Sequence, residues 1–175
     1  MMLRPAKSIA EKMIKVDHTG ENGAVNIYRA QAIGARLFAR DLLPAIRENR
    51  EHEERHREIF SAVLQDKGVR RCVSFHLAGV GGFALGFVTG LMGRQAIHAT
   101  TFAVEHVVLE HLEGQLAYLR DTDATAFRAV GAIVAEEQEH HDHAEANLDE
   151  RKLLNRALIA IVRLCTEGVI RFGMR

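Results

Sequence analysis

Cysteine and proline are scarce in this sequence, and each scarcity excludes a class of protein. The 175 residues contain two cysteines, Cys72 and Cys165, and no C-x-x-C spacing, so we expect neither a disulfide framework nor a cysteine-ligated zinc site. Only two prolines occur, and no segment alternates apolar and polar residues over more than a few positions. This pattern disfavours a β-sheet protein and leaves helices as the main element.

A charge excess of either sign is also missing, since Lys plus Arg and Asp plus Glu both number 23. A dedicated nucleic-acid-binding protein normally carries a basic excess or stripe, so we expect no nucleic-acid partner. The first residues lack the apolar run of a secretory signal, which favours a cytoplasmic protein. With 47% hydrophobic and 26% charged residues, the chain is predicted to form a single globular domain over residues 1–175.

Apolar residues recur at intervals of three and four, which predicts helices. After a short amphipathic segment at 8–15, five helices are predicted, the first capped by Asp17 and the second ended by Gly68. Their approximate bounds are 17–40, 44–66, 95–119, 124–147 and 152–172. The expected architecture is all-α: a four-helix bundle, an apolar crossover between the second and third helices, and an additional C-terminal helix.

Two glutamate–histidine pairs carry the strongest chemical signal: Glu53 with His56, and Glu137 with His140. Because residues three apart lie on one face of a helix, both side chains of a pair can bind one ion. Each pair lies on the apolar stripe of its helix. Burial of ionised carboxylates there costs several kcal/mol each unless a cation compensates.

Each pair is matched by a lone glutamate on the apolar stripe of the preceding helix. The interval from Glu21 to Glu53 is the same as the interval from Glu105 to Glu137. The second set, at 105, 137 and 140, repeats the first set, at 21, 53 and 56, with one constant displacement for all three members. This spacing indicates an internal duplication of a helical hairpin.

Four carboxylates would neutralise two divalent ions, and two neutral imidazoles would complete the coordination. Oxygen and nitrogen ligands without thiolate favour iron or manganese over structural zinc. This ligand set is typical of di-iron carboxylate bundles, so we predict two iron ions that activate dioxygen. The alternative is that the charged segments at 47–58 and 136–143 are solvated helix faces, which the matching upstream glutamates disfavour.

Residues 73–92 form an apolar segment that contains one strongly polar side chain, His76, and is about as long as a membrane span. A true span is disfavoured because His56 before it and Glu105 after it are expected to reach the same metal centre. Two alternatives remain: a crossover buried along the bundle, or an interfacial segment that dips into lipid and admits an apolar substrate. We favour the interfacial segment. Small residues recur at every fourth position and predict a face for close helix packing: Ala78, Gly82, Gly86 and Gly90.

Five short motifs are shared with a known family. They are V-D-H-x-G-E-x-G-A at 16–24, E-E-R-H at 53–56, G-F-A-L-G at 82–86, A-V-E at 103–105 and E-E-Q-E-H-H-D at 136–142. With these motifs the chain resembles the demethoxyubiquinone hydroxylase family of ubiquinone biosynthesis over about 12–149. The first motif is the most specific, since generic ferritin-like proteins lack it.

The resemblance implies a ferritin-like bundle in which six residues bind two iron ions: Glu21, Glu53, His56, Glu105, Glu137 and His140. Glu53 and Glu137 would each bridge or contact both metals. The implied reaction is a flavin-independent monooxygenation, with O2 and electrons from NADH, that hydroxylates the ring of a polyprenylated 6-methoxy-benzoquinol (demethoxyubiquinol).

The same resemblance implies a peripheral protein at the cytoplasmic face of the cell membrane, or at the mitochondrial inner membrane in a eukaryote. Its implied partners are the quinol substrate, the lipid surface and other proteins of ubiquinone biosynthesis, and a homo-oligomer is left open. Three departures from the family pattern concern electron delivery. Leu112 stands where tyrosine is expected, the tail at 166–175 lacks the usual ending, and Lys12 stands where arginine is common. Lys12 is kept as a candidate contact of the electron donor.

Two other functions fit part of the pattern. A ferritin- or rubrerythrin-like iron oxidase or peroxide scavenger would use the same ligands but needs no apolar crossover. A non-catalytic quinone- or lipid-binding bundle would leave the carboxylates at the surface. Further candidates near the metals are His18, His98, His106 and His111, whereas His141 and His143 are expected at the surface.

Overall fold

The structure is a computed structural model that describes residues 3–174, and it is built from helices, as predicted. A single isolated bridge, between Arg4 and Val69, is the one β-type pairing in this range. A short 3-10 turn at Arg40–Leu42 joins the first two α-helices. The α-helices of the described residues are α1 (Ile9–Phe38), α2 (Leu43–Asp66), α3 (Phe75–Met92), α4 (Arg94–Thr122), α5 (Ala124–Gly131), α6 (Val134–Ala146) and α7 (Leu153–Gly173).

Helix α1 begins earlier than predicted, and the assignment of Asp17 as its cap is wrong. Ser8 is the N-cap: its hydroxyl accepts a hydrogen bond from the backbone N–H of Glu11 at 3.1 Å. Glu11 in turn accepts from the Ser8 backbone, which completes a capping box. The predicted lead-in segment is therefore the first part of a helix of 30 residues.

The predicted fourth helix is two helices, α5 and α6, because the chain turns at Ala132 and Ile133. Asp123 caps α5 by accepting from the Ala126 backbone N–H at 3.0 Å. Gly131 ends α5, and glycine weakens a helix at this point. Helix α2 and its end agree with the prediction, since Gly68 has a φ of 63°, which favours glycine.

Helices α1, α2, α4 and the α5–α6 pair form the bundle, and its core has two parts. The larger apolar cluster joins Ile14 of α1, Phe60 of α2 and Leu119 of α4 to residues of α5. The second cluster includes Tyr28 and Ile46. Along α1 and α2 the predicted metal ligands lie between these two clusters, so apolar packing holds the helices on both sides of the ligands.

Helices α3 and α7 lie outside the bundle as a second layer. Glycines of α3 approach the backbone of α1 so closely that an added Cβ at Gly86 would collide with the carbonyl oxygen of Ile27. The opposite side of α3 is open, and the segment Phe75–Met92 is only 22% buried. The alternative of a buried crossover is therefore wrong. By length and composition alone, α3 could cross a membrane.

Candidate metal centre

The structure brings the six predicted ligands together in two overlapping groups. One group is Glu21, Glu53, His56 and Glu137, and the other is Glu53, Glu105, Glu137 and His140. Within each group the candidate ligand atoms lie within 4.8 Å of one another, and all six residues are buried. Glu53 and Glu137 belong to both groups, so their carboxylates would be shared if each group held an ion.

Four helices supply these side chains, and the helical period explains why they converge. Glu21 comes from α1, Glu53 and His56 from α2, Glu105 from α4, and the last pair from α6. Each Glu-x-x-His pair spans slightly less than one helical turn, so both side chains face the bundle axis.

Several polar atoms of the cluster have no hydrogen-bond partner among the described residues. They are Glu53 Oε1, both carboxylate oxygens of Glu137, His56 Nδ1 and His140 Nδ1. His56 Nδ1 lies 2.9 Å from Glu137 Oε1, and His140 Nδ1 lies 3.3 Å from Glu53 Oε1. Although these distances are short, the angles at the two contacts are not those of a hydrogen bond. Unpaired buried polar atoms are costly, so an arrangement of this kind fits cations at its centre. Carboxylate oxygens with imidazole nitrogens fit iron or manganese.

The electrostatics of the cluster reflect four carboxylates that share one buried space. Burial, followed by repulsion from neighbouring carboxylates, raises the pKa values of Glu21 and Glu105 well above the usual glutamate range. Burial opposes ionisation of Glu53, but the adjacent imidazoles of His140 and His56 lower its pKa below the usual value. Burial lowers the pKa of both histidines, yet Glu137 and Glu53 outweigh it and raise that of His56 to about 10 and that of His140 to about 11.

Three further residues contact the ligands. Tyr28 of α1 donates its hydroxyl to Glu105 Oε1 at 2.8 Å. Glu136 Oε2 lies 2.7 Å from His56 Nε2, and His52 Nδ1 lies 3.0 Å from His140 Nε2. The signal that could have found Glu136 and His52 is their position beside the ligands on α6 and α2.

A cavity of about 670 Å³ leads to the carboxylate side of the cluster between α1, α3, α4 and α7. Its wall is mostly apolar and includes Ile27, Leu85 and Val162. The four glutamates line its inner part, whereas His56 and His140 do not. An entering molecule would therefore meet the carboxylate side of the cluster, away from the imidazoles.

Two polar residues on the cavity wall pair with each other. The amide of Gln115 donates to Asp17 Oδ1 at 2.8 Å. Burial raises the pKa of the Asp17 carboxyl to about 7. Asp17 belongs to the first shared motif and lies one helical turn before Glu21.

The other predicted candidates lie outside the ligand groups. His18 stacks on Phe75 with ring centroids 4.8 Å apart, and His111 pairs with Glu167 at 3.0 Å on the cavity wall. His98 and His143 line a water-sized pocket of about 20 Å³ beside Tyr28. His106 lies near Glu110, and His141 contacts Asp142. Lys12 is half-buried near the start of α1 and does not line the cavity, so its role stays a prediction.

Comparison with known proteins points to one family. The family model for "Ubiquinone biosynthesis protein COQ7" matches residues 8–173. A Dictyostelium discoideum protein named NADPH-dependent 3-demethoxyubiquinone 3-hydroxylase, mitochondrial, is 40% identical over 115 residues, which are 66% of this chain and 52% of that protein. The Mus musculus protein of the same name is 31% identical over 166 residues, 93% of this chain and 74% of its own length.

A bacterial relative shows the same relationship. The 3-demethoxyubiquinol 3-hydroxylase of Rhodospirillum rubrum is 33% identical over 141 residues, 80% of this chain and 66% of its own length. The chain thus spans between about half and three quarters of the length of these curated relatives. The family resemblance is confirmed by the family model over nearly the whole chain, and the protein belongs to the COQ7 family of ubiquinone biosynthesis proteins.

Proposed function

We propose that this protein is a di-iron monooxygenase that hydroxylates the ring of a polyprenylated 6-methoxy-benzoquinol (demethoxyubiquinol), and that residues 1–175 act as one domain. The observation that carries the proposal is the meeting of two overlapping ligand groups with a large apolar cavity. Relatives named as hydroxylases of a demethoxyubiquinone or demethoxyubiquinol support the substrate class.

The metal centre of this proposal would use all six buried residues. Glu21 and His56 would hold one iron, Glu105 and His140 the other, and Glu53 with Glu137 would contact both. When bound, two ferrous ions would supply the electrons that activate dioxygen. Tyr28 would keep the Glu105 carboxylate in place through its hydrogen bond.

The cavity would hold the aromatic head of the substrate. Its volume of about 670 Å³ lies within the range of pockets that bury a small organic ligand. Its apolar walls would exclude water from the reaction site. The Asp17–Gln115 pair would offer polar atoms to orient a ring oxygen.

The prenyl tail would leave the cavity through the outer layer and remain in lipid. Exposed large apolar side chains are concentrated on α3 and α7: among them are Leu77, Val80, Val88, Leu153, Leu154, Ile161, Leu164 and Phe172. A surface of this kind is typical of proteins that lie in a membrane interface. We therefore propose a peripheral location at the cytoplasmic face of the cell membrane, or at the mitochondrial inner membrane in a eukaryote, where the named eukaryotic relatives are mitochondrial.

Electrons would come from a reduced nicotinamide. The family resemblance implies NADH, whereas the names of the Dictyostelium discoideum and Mus musculus relatives specify NADPH, so both donors belong in the test. Lys12 stays a candidate contact for the donor. Other proteins of ubiquinone biosynthesis and a second copy of the chain stay candidate partners.

The decisive experiment supplies the iron-loaded protein with a short-tailed demethoxyubiquinol, ¹⁸O2 and either NADH or NADPH. One ¹⁸O atom should enter the ring, as detected by mass spectrometry of the product. The Glu137→Ala variant should give no labelled product, whereas Glu139→Ala, an exposed change on the same helix, should retain the activity.

The second candidate function is an iron oxidase or peroxide scavenger. The two ligand groups are the observation that supports it. It gives no role to the cavity or to the apolar side of α3. Consumption of O2 or peroxide with ferrous iron, together with no labelled quinol under any donor, would favour this function and contradict the hydroxylase.

A further inference from the structure

The imidazoles of His56 and His140 present the same atom to the cluster but are held from behind by different partners. In both rings Nδ1 faces the shared carboxylates of Glu53 and Glu137. An Nδ1 that binds a metal carries no proton, so Nε2 carries the proton and donates it outward. The acceptor of that outward hydrogen bond differs between the two rings.

Behind His56 the acceptor is a carboxylate. Glu136 Oε2 lies 2.7 Å from His56 Nε2, while Arg55 donates to the other oxygen, Glu136 Oε1, at 2.8 Å. The Arg55 contact orients the carboxylate and leaves Oε2 free for the imidazole. A carboxylate partner makes a ligating imidazole a stronger electron donor to its metal.

Behind His140 the acceptor is a second imidazole. His52 Nδ1 lies 3.0 Å from His140 Nε2, and the two rings stack with centroids 5.1 Å apart. A neutral imidazole enhances the basicity of its partner less than a carboxylate does. On this side of the cluster Tyr28 also donates to Glu105, which draws electron density from that carboxylate.

From these contacts we infer that the two metal sites are unequal, with Glu136 and His52 as the positioning residues that make them so. Each site has three glutamates and one histidine, so the ligand sets do not distinguish them. The carboxylate of Glu136 strengthens the site of His56 more than the imidazole of His52 strengthens the site of His140. The site of Glu21 and His56 therefore binds a divalent ion more tightly than the site of Glu105 and His140. The inference rests on the proposed metal centre and deepens it.

The two sites can be separated because each has one glutamate of its own. Glu105→Gln impairs the site of His140 and retains that of His56, whereas Glu21→Gln does the reverse. Each variant is titrated anaerobically with ferrous ion alone in a calorimeter, and the heat of binding gives the affinity of the remaining site. The Glu105→Gln protein should bind its ion more tightly than the Glu21→Gln protein.

Adding a change at Glu136 identifies the cause of the difference. In the Glu105→Gln protein, Glu136→Gln should weaken ferrous binding about 10- to 100-fold, the usual effect of losing such an outer contact. Glu136→Leu, which also removes the hydrogen-bond acceptor, should weaken it further. Glu136 reaches His140 only through His52, whose Nδ1 lies 3.8 Å from Glu136 Oε2. In the Glu21→Gln protein, Glu136→Gln should therefore weaken ferrous binding less than about tenfold, below the effect of losing a direct outer contact, and His52→Leu should weaken it more.

Glu139→Gln is the matched control, since it removes one negative charge from an exposed position three residues further along α6. It should leave both affinities unchanged, and circular dichroism of every variant shows whether the helices are retained. Equal weakening of both sites by Glu136→Gln, or none at either, would overturn the inference while leaving the metal centre intact. Failure of the unaltered protein to bind two ferrous ions would overturn the metal centre and the inference together.

Discussion

Glu137 belongs to both proposed metal sites, and its two carboxylate oxygens are buried and lack hydrogen-bond partners among residues 3–174. Buried charges are tolerated when a cation compensates them and are costly otherwise. Loss of such a residue therefore affects metal binding more than folding.

For Glu137→Ala we expect loss of both metal ions with the helical fold retained. The free energy of unfolding of the metal-free protein should change little, because the change removes the contact of Glu137 with His56 but also relieves the repulsion of Glu137 on Glu21 and Glu105. Metal analysis after anaerobic reconstitution and thermal melting followed by circular dichroism measure the two effects. Glu139→Ala is the control, and two metal ions per chain in Glu137→Ala would contradict the assignment.

Metal affinity should rise with pH. In the metal-free protein the pKa values of His56 and His140 are raised to about 10 and 11, and those of Glu21 and Glu105 are well above the usual value. His56 and His140 therefore carry protons at neutral pH that must leave before a metal binds, and the raised pKa values of the two glutamates oppose metal binding in the same direction. Lower pH favours the protonated, metal-free protein, and each displaced proton contributes about tenfold in affinity per pH unit.

Ferrous titrations across neutral to mildly alkaline pH measure this dependence, and calorimetry in two buffers of different ionisation enthalpy counts the released protons. An affinity that is independent of pH would show that the cluster is already deprotonated and would contradict the electrostatic description.

At the scale of the element, the contact between α3 and α1 depends on glycines that leave room for the facing backbone. Gly82 and Gly86 lie against Gly23 and Ile27 of α1, where a side chain would meet main-chain atoms that cannot move aside. Gly81, next to Gly82, has open space around the position of a Cβ. The small-residue periodicity predicted such a face, and the structure shows that α1 occupies it.

Gly86→Ala should destabilise the protein by about 1–3 kcal/mol, because overpacking forces α3 away from α1. Gly81→Ala should instead stabilise it by about 0.5–1 kcal/mol, because alanine favours a helix over glycine. Denaturant unfolding of the two variants beside the unaltered protein provides the comparison. A stabilising Gly86→Ala would show that α3 is not packed on α1 in this way.

At the scale of the whole molecule, the outer layer of α3 and α7 presents apolar side chains on a surface that also surrounds the cavity. Val80 is 68% exposed and Leu164 is 75% exposed, although both are large and apolar. Such exposure is unfavourable in water but favourable in lipid. The proposed membrane location follows from this surface rather than from a spanning segment.

The unaltered protein should therefore float with vesicles of neutral phosphatidylcholine. Val80→Asp and Leu164→Asp should each reduce the bound fraction severalfold or more, since burying one such side chain is worth about 1.5–3 kcal/mol. Ala132→Asp, at an exposed position between α5 and α6, adds the same charge away from both helices and should not affect flotation. Because the lipid is neutral, repulsion between the new aspartate and the vesicle surface cannot cause the reduced binding. Failure of the unaltered protein to float would refute the membrane proposal.

The sequence alone determined the positions that meet at the cluster, because the helical period and the repeated spacing of the two ligand sets place Glu21, Glu53, Glu105 and Glu137 on inward faces. It also indicated the bundle and the family, since long stretches of period three to four and one specific motif are local features. The start of α1 was predicted wrongly because Ser8 and Asp17 can both cap a helix, and the cap in the structure is Ser8.

Only the tertiary structure decided how the site is supported and reached. The contacts of His56 with Glu136 and of Tyr28 with Glu105 join residues 80 and 77 positions apart, so no local pattern encodes them. The outward exposure of α3 and the cavity between α1, α3, α4 and α7 likewise depend on how separate helices pack. Spacing along one helix determines which side chains share a face, but packing between helices determines what that face meets.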